Sequence, residues 1–126
     1  MNVEIADYLR QICKPFLVAR LSLEAAIAAL RDKEFVAQCV KLVTAERKYM
    51  EQQYTELGIE FAPSQANFVL IDPPVPAPEF VDYLFGQGIA VRPMDNFGAP
   101  GKVRISIGTR EANEALLAAI RQLLRK

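Results

Sequence analysis

The hydrophobic repeat of this chain changes period once, at Gly58. Before that glycine, apolar residues recur at the three- and four-residue spacing of a buried helical face; after it they alternate or cluster as they do in strands. A chain that is helical in its first half and interleaves short strands with helices in its second predicts a two-layer α+β domain. Its helices should pack on one face of a small, largely antiparallel sheet.

In the first half, Val3, Ile5, Leu9, Ile12 and Cys13 mark an amphipathic helix that breaks before Pro15. An alanine-rich segment, Leu21 to Leu30, reads as a second helix starting at Ser22 or the preceding turn, and Asp32 opens the next element. From Glu34 to Leu57 the residues Val36, Val40, Val43, Met50, Tyr54 and Leu57 line one stripe of a long helix that Gly58 terminates.

Beyond Gly58, Ile59 to Phe61 is a short strand candidate, and Asn67 to Ile71 is apolar enough to be buried on both faces. The prolines at 73, 74, 76 and 78 lead into a helix from Glu79 to Phe85, stopped by Gly86 and Gly88. Ile89 to Val91 reads as a strand. Val103, Ile105 and Ile107 alternate with Arg104 and Ser106, which puts the three branched side chains on one face and the two polar ones on the other. Thr109 is placed to cap a last helix whose buried stripe is Leu116, Leu117, Ile120, Leu123 and Leu124.

The residue inventory closes off many chemistries. Without histidine there is no Ser/His/Asp or Cys/His catalysis and no histidine-dependent zinc site. Fifteen basic residues balance fifteen acidic ones, which removes the electrostatic footprint of nucleic-acid binding. No apolar run reaches a membrane span and the N-terminus does not read as a signal peptide, so a reducing cytoplasm is expected, with Cys13 and Cys39 as buried free thiols.

No phosphate-binding glycine motif, nucleophile elbow or metal-ligand spacing is present. What stands out is Arg92, just after one strand, and Arg104, within another, joined by a loop rich in glycine and proline. Guanidinium forks match carboxylates and phosphates in two parallel hydrogen bonds, so the pair could clamp a small anion. The alternative is a surface strand arginine paired with a carboxylate and a solvated loop charge. Asp95-Asn96 reads as turn chemistry, Asn67 as satisfying backbone groups, Tyr49 and Tyr54 as packing residues, and the six lysines occupy no recognisable pocket motif.

Ser64-Gln65-Ala66-Asn67-Phe68-Val69, the segment Gly88 to Arg92, the run Val103 to Thr109 and Glu111-x-Asn113 together resemble the C-terminal part of class I/II pyridoxal-phosphate aminotransferases. The likeness is nearest to the histidinol-phosphate aminotransferases. It implies the small domain of a fold-type I transferase, a single domain over 1–126, with 1–16 the helix leaving a large domain and 17–126 the body. It also implies that Arg104 binds the carboxylate or other anionic group of the substrate, with Arg92 a second anion contact. The substrate would be an amino acid or a phosphorylated amino alcohol, in a homodimeric enzyme using pyridoxal 5'-phosphate. The Schiff-base lysine of such enzymes belongs to a motif this sequence does not contain, so these residues alone are expected to be inactive. A free-standing anion-binding or regulatory module is the alternative function.

Overall fold

The computed structural model describes residues 3–12 and 18–125. Cys13 and the Lys14-Pro15-Phe16 step lie outside the described residues. Contacts divide the chain into two compact units, Met1–Val36 and Ala37–Lys126. The first contains helices α1 (Val3–Ile12) and α2 (Arg20–Arg31); α2 has no buried residue, and its N-terminus at Ala19 has no side-chain cap.

Helix α3 (Lys33–Glu56) starts where Asp32 Oδ1 accepts the Phe35 N–H at 2.9 Å, as Asp32 predicts. Its buried residues, Glu46, Arg47, Met50 and Tyr54, fall in its C-terminal half. The expected stripe is therefore only partly covered. Val43 and Leu57 pack against the core, whereas Val36 and Val40 are exposed. Cys39 is free but half-buried, not buried.

The second unit is α+β. Strands β1 (Phe61–Ala62), β2 (Phe68–Ile71), β3 (Arg92–Pro93) and β4 (Val103–Ser106) form one antiparallel sheet in the order β1-β2-β4-β3. Helix α4 (Ala77–Gly86) separates β2 from β3, and α5 (Arg110–Leu123) follows β4. Both edge strands are two residues long, and β3 carries Pro93, which has no N–H to offer a further strand.

Two strand boundaries differ from expectation for one reason. Gly58 and Gly88 adopt left-handed backbone, with φ of 68° and 78°. Each closes its helix by donating to a carbonyl three residues back, and the next N–H reaches five back: Ile59 to Tyr54 and Ile89 to Leu84, both at 2.9 Å. Ile59 and Ile89 thus spend their donors on helix ends. Strand pairing starts later, at Phe61 rather than Ile59 and at Arg92 rather than Ile89.

The core joins Met50 and Tyr54 of α3, Val69 and Ile71 of β2, Phe80 and Leu84 of α4, Val103 and Ile105 of β4, and Leu116, Leu117 and Ile120 of α5. β4 alternates as predicted, with Val103, Ile105 and Ile107 buried. β2 is corrected to a strand with one buried face: Val69 and Ile71 are fully buried, Phe68 and Leu70 are not. Within this unit the helices take one side of the sheet and leave the other open. Leu123 is partly buried, whereas Leu124, beyond the last helical turn, is exposed.

Candidate anion site on the open sheet face

The antiparallel register sets Arg92 directly opposite Arg104, and Leu70 opposite Arg104 on the other side. Residues opposed in this way share a face, so both arginines stand on the side of the sheet away from this unit's core. Arg104 is half-buried, with its guanidinium carbon 5.3 Å from the centre of the Phe68 ring; Arg92 lies 4.6 Å over Phe97. Aromatic faces of this kind hold the forks in place without consuming their hydrogen-bond donors.

Among the described residues, neither guanidinium has a carboxylate within ion-pair distance. Directly opposed like charges destabilise a strand pair. Two such charges, oriented but uncompensated, match the bidentate geometry of a carboxylate or a phosphate. Among the described residues, the surface ion-pair alternative for Arg104 finds no partner.

The hairpin joining the two arginines is tightly closed. Asp95 Oδ1 accepts the Gly101 N–H at 3.1 Å, and the Met94 N–H donates to the Lys102 carbonyl at 3.0 Å. Asp95 is turn chemistry, as its sequence context predicts. The Asn67 side chain, expected to satisfy backbone groups, is exposed and unbonded among the described residues; it is the Asn67 carbonyl that accepts the Ile107 N–H, at 2.8 Å.

A second polar cluster lies where β4 ends. Glu46 accepts from Arg110 through one oxygen, at 2.9 and 3.1 Å, and from Asn113 Nδ2 through the other, at 2.9 Å. Arg110 stacks on Tyr49 with its guanidinium carbon 3.5 Å from the ring centre. Burial pushes the Glu46 carboxyl up, but hydrogen bonds from Arg110 and Asn113 and the charge of Arg110 outweigh it, leaving the group below its ordinary 4.5. Next along the helix, Arg47 donates to the Ala66 carbonyl at 2.9 Å and to Gln65 Oε1 at 3.3 Å.

Glu46, Arg47, Arg110 and Asn113 carry no assigned role in the sequence reading, although the α3 stripe held a signal. It skips from Val43 to Met50, and the inward positions in that gap are Glu46 and Arg47. Charged residues on the core side of a helix ask for partners.

The family described as aminotransferase class I and II matches residues 1–120. Among curated relatives, histidinol-phosphate aminotransferase 2 of Methylococcus capsulatus is 41% identical over 123 residues, 98% of this chain and 33% of that protein. The crystal structure of the histidinol-phosphate aminotransferase from Clostridium acetobutylicum superposes with a TM-score of 0.78 at 26% identity, covering 98% of this chain and 39% of that one. The enzyme of the same name from Sinorhizobium meliloti, solved in complex with pyridoxal-5'-phosphate, gives a TM-score of 0.69 at 27% identity, covering 95% of this chain and 35% of that one. The chain spans about a third of the length of the curated relatives it matches.

Proposed function

The chain belongs to the class I and II aminotransferases, and from that premise we propose that it is the substrate-side small domain of a histidinol-phosphate aminotransferase. In this reading residues 17–126 are the domain body and 1–16 the helix that leads into it. The enzyme exchanges an amino group between histidinol phosphate and 2-oxoglutarate, as a homodimer in the cytoplasm. Among the described residues, no helix is long and apolar enough to cross a membrane.

One observation carries the reading: Arg92 and Arg104 oppose each other across β3 and β4 with no carboxylate among the described residues to neutralise them. Arg104, half-buried and braced by Phe68, holds the substrate's carboxylate or phosphate in a fixed orientation. Arg92 supplies the second fork for the same anion or for another on the same molecule. Both act by fixing the substrate so that the bond to be broken is presented correctly, a contribution of orientation rather than of proton transfer.

The described residues do not fit the role of holding pyridoxal phosphate. Lys33, Lys41 and Lys48 are exposed, and Lys102 is engaged at 2.6 Å with both oxygens of Asp72. The cofactor supplies the electron sink in such enzymes.

The test is a chimera in which this chain replaces the matching third of the Methylococcus capsulatus relative. Arg104→Lys in it is expected to raise the substrate KM on the order of tenfold or more, since an ammonium cannot form the paired bonds. An unchanged KM and kcat would overturn the assignment. The competing reading, a self-sufficient anion-binding module, draws on the fact that both arginines lie within this chain. Sub-millimolar phosphate binding by the chain alone would favour it.

A further inference from the structure

Consecutive residues of α3 grip the two sides of one strand end. Glu46 reaches β4: its Oε2 fixes the Asn113 amide, whose Oδ1 accepts the Gly108 N–H at 3.0 Å and whose Nδ2 also donates to the Gly108 carbonyl at 3.1 Å. Arg47 reaches β2: its fork holds Ala66 and Gln65, immediately before that strand begins. Between these grips lies the last link of the central strand pair, Ile107 N–H to Asn67 carbonyl at 2.8 Å, next to the Phe68 and Ser106 register pair.

Beyond that link the backbone of Gly108 has no strand to pair with, and the Asn113 side chain takes both of its polar groups. An acceptor-only carboxylate behind the amide fixes which way it faces. Arg110, stacked on Tyr49, occupies the other carboxylate oxygen and keeps Glu46 aimed at Asn113. Arg104 lies on this same four-residue strand, and its guanidinium rests on Phe68, the first residue of β2. Any slip of β4 against β2 moves the fork off its ring.

We propose that Glu46, Arg47 and Asn113 are positioning residues for Arg104: a polar clamp from α3 that locks the end of the β2 and β4 pair and thereby sets where the Arg104 guanidinium stands. The proposal rests on the reading of Arg104 as an anion contact, and its test separates the two. A ligand-holding side chain works only while its supporting bonds keep it within a fraction of an ångström of its productive place.

Sulfate is titrated into the chain, followed by the amide and guanidinium Nε–H resonances of Arg104 and the amide resonance of Ser106, with amide exchange measured alongside. Asn113→Ala and Arg47→Ala are expected to weaken sulfate binding on the order of tenfold while the protein remains folded. Leu123→Ala, which thins the core at the other end of α5, lowers Tm and leaves the sulfate affinity alone. Exchange at Ile107 should speed up selectively over Val69 in the clamp variants. Sulfate affinity that follows Tm alone across all three variants overturns the clamp. If the unaltered chain shows no sulfate binding even at high millimolar concentration, weaker than either functional reading allows, the anion reading of Arg104 fails, and the clamp is then judged on exchange: selective opening at Ile107 supports it and uniform exchange refutes it. Should Asn113→Ala fail to fold, Arg47→Lys, which keeps the charge and loses the fork, decides by the same comparison.

Discussion

Tyr54 sits fully buried on α3 with a hydroxyl that has no hydrogen-bond partner among the described residues. Burial pushes its phenol well above the ordinary range, so it stays protonated and takes no part in acid–base work. An unpaired buried hydroxyl costs about 1–3 kcal/mol. Tyr54→Phe is therefore expected to be neutral or to stabilise by about 1 kcal/mol, measured by denaturant midpoint. A clear loss would mean that the hydroxyl is paired. Glu46 is the opposite case, a buried acceptor with every partner in place. Its folded pKa lies below its ordinary 4.5, so its contribution is fully present above that pH and is lost as pH falls through the lower folded value. Thermal melts in acid should show the unaltered chain losing more stability below pH 4.5 than Glu46→Gln does, the variant having already lost the charge.

Elements end where their last donors are spent. The isoleucines after Gly58 and Gly88 donate to helix carbonyls, and each strand begins only once that debt to the helix is settled. Gly88→Ala should cost about 1–2 kcal/mol, since a side chain is disfavoured in left-handed backbone, with the loss read from the urea midpoint. Leu117→Ala, in the fully buried stripe of α5, should cost about 2–5 kcal/mol. Much of this level was legible in the sequence. Thr109 caps α5, its oxygen accepting the Ala112 N–H, and the alternation through β4 places Arg104 on the polar face because period two leaves no other choice. The later strand starts, at Phe61 and Arg92 rather than Ile59 and Ile89, were not legible from apolar character, because a side chain's hydrophobicity does not report where its own N–H is bonded. Nor was the opposition of Arg92 and Arg104, which depends on a pairing register. The Glu46 arm of the polar clamp joins residues more than sixty positions apart, beyond the reach of any local spacing.

At the scale of the whole molecule, the buried residues are unevenly distributed. Among the described residues, none before Glu46 is buried, and the core is assembled entirely within the second compact unit. A chain trimmed to residues 32–126, which keeps the Asp32 cap, should keep its unfolding free energy within about 1 kcal/mol of the longer one, as judged by denaturant titration. A larger loss would place stabilising contacts in the trimmed part. The open side of the sheet has a different consequence. The chain is neutral in sum, yet that side presents two guanidiniums that no carboxylate of the described residues compensates. Two copies approaching sheet to sheet would bring four like charges within a screening length, which is roughly 8 Å at physiological ionic strength. The repulsion makes the face colloidally self-avoiding in dilute buffer, and multivalent anions that neutralise it would remove that protection.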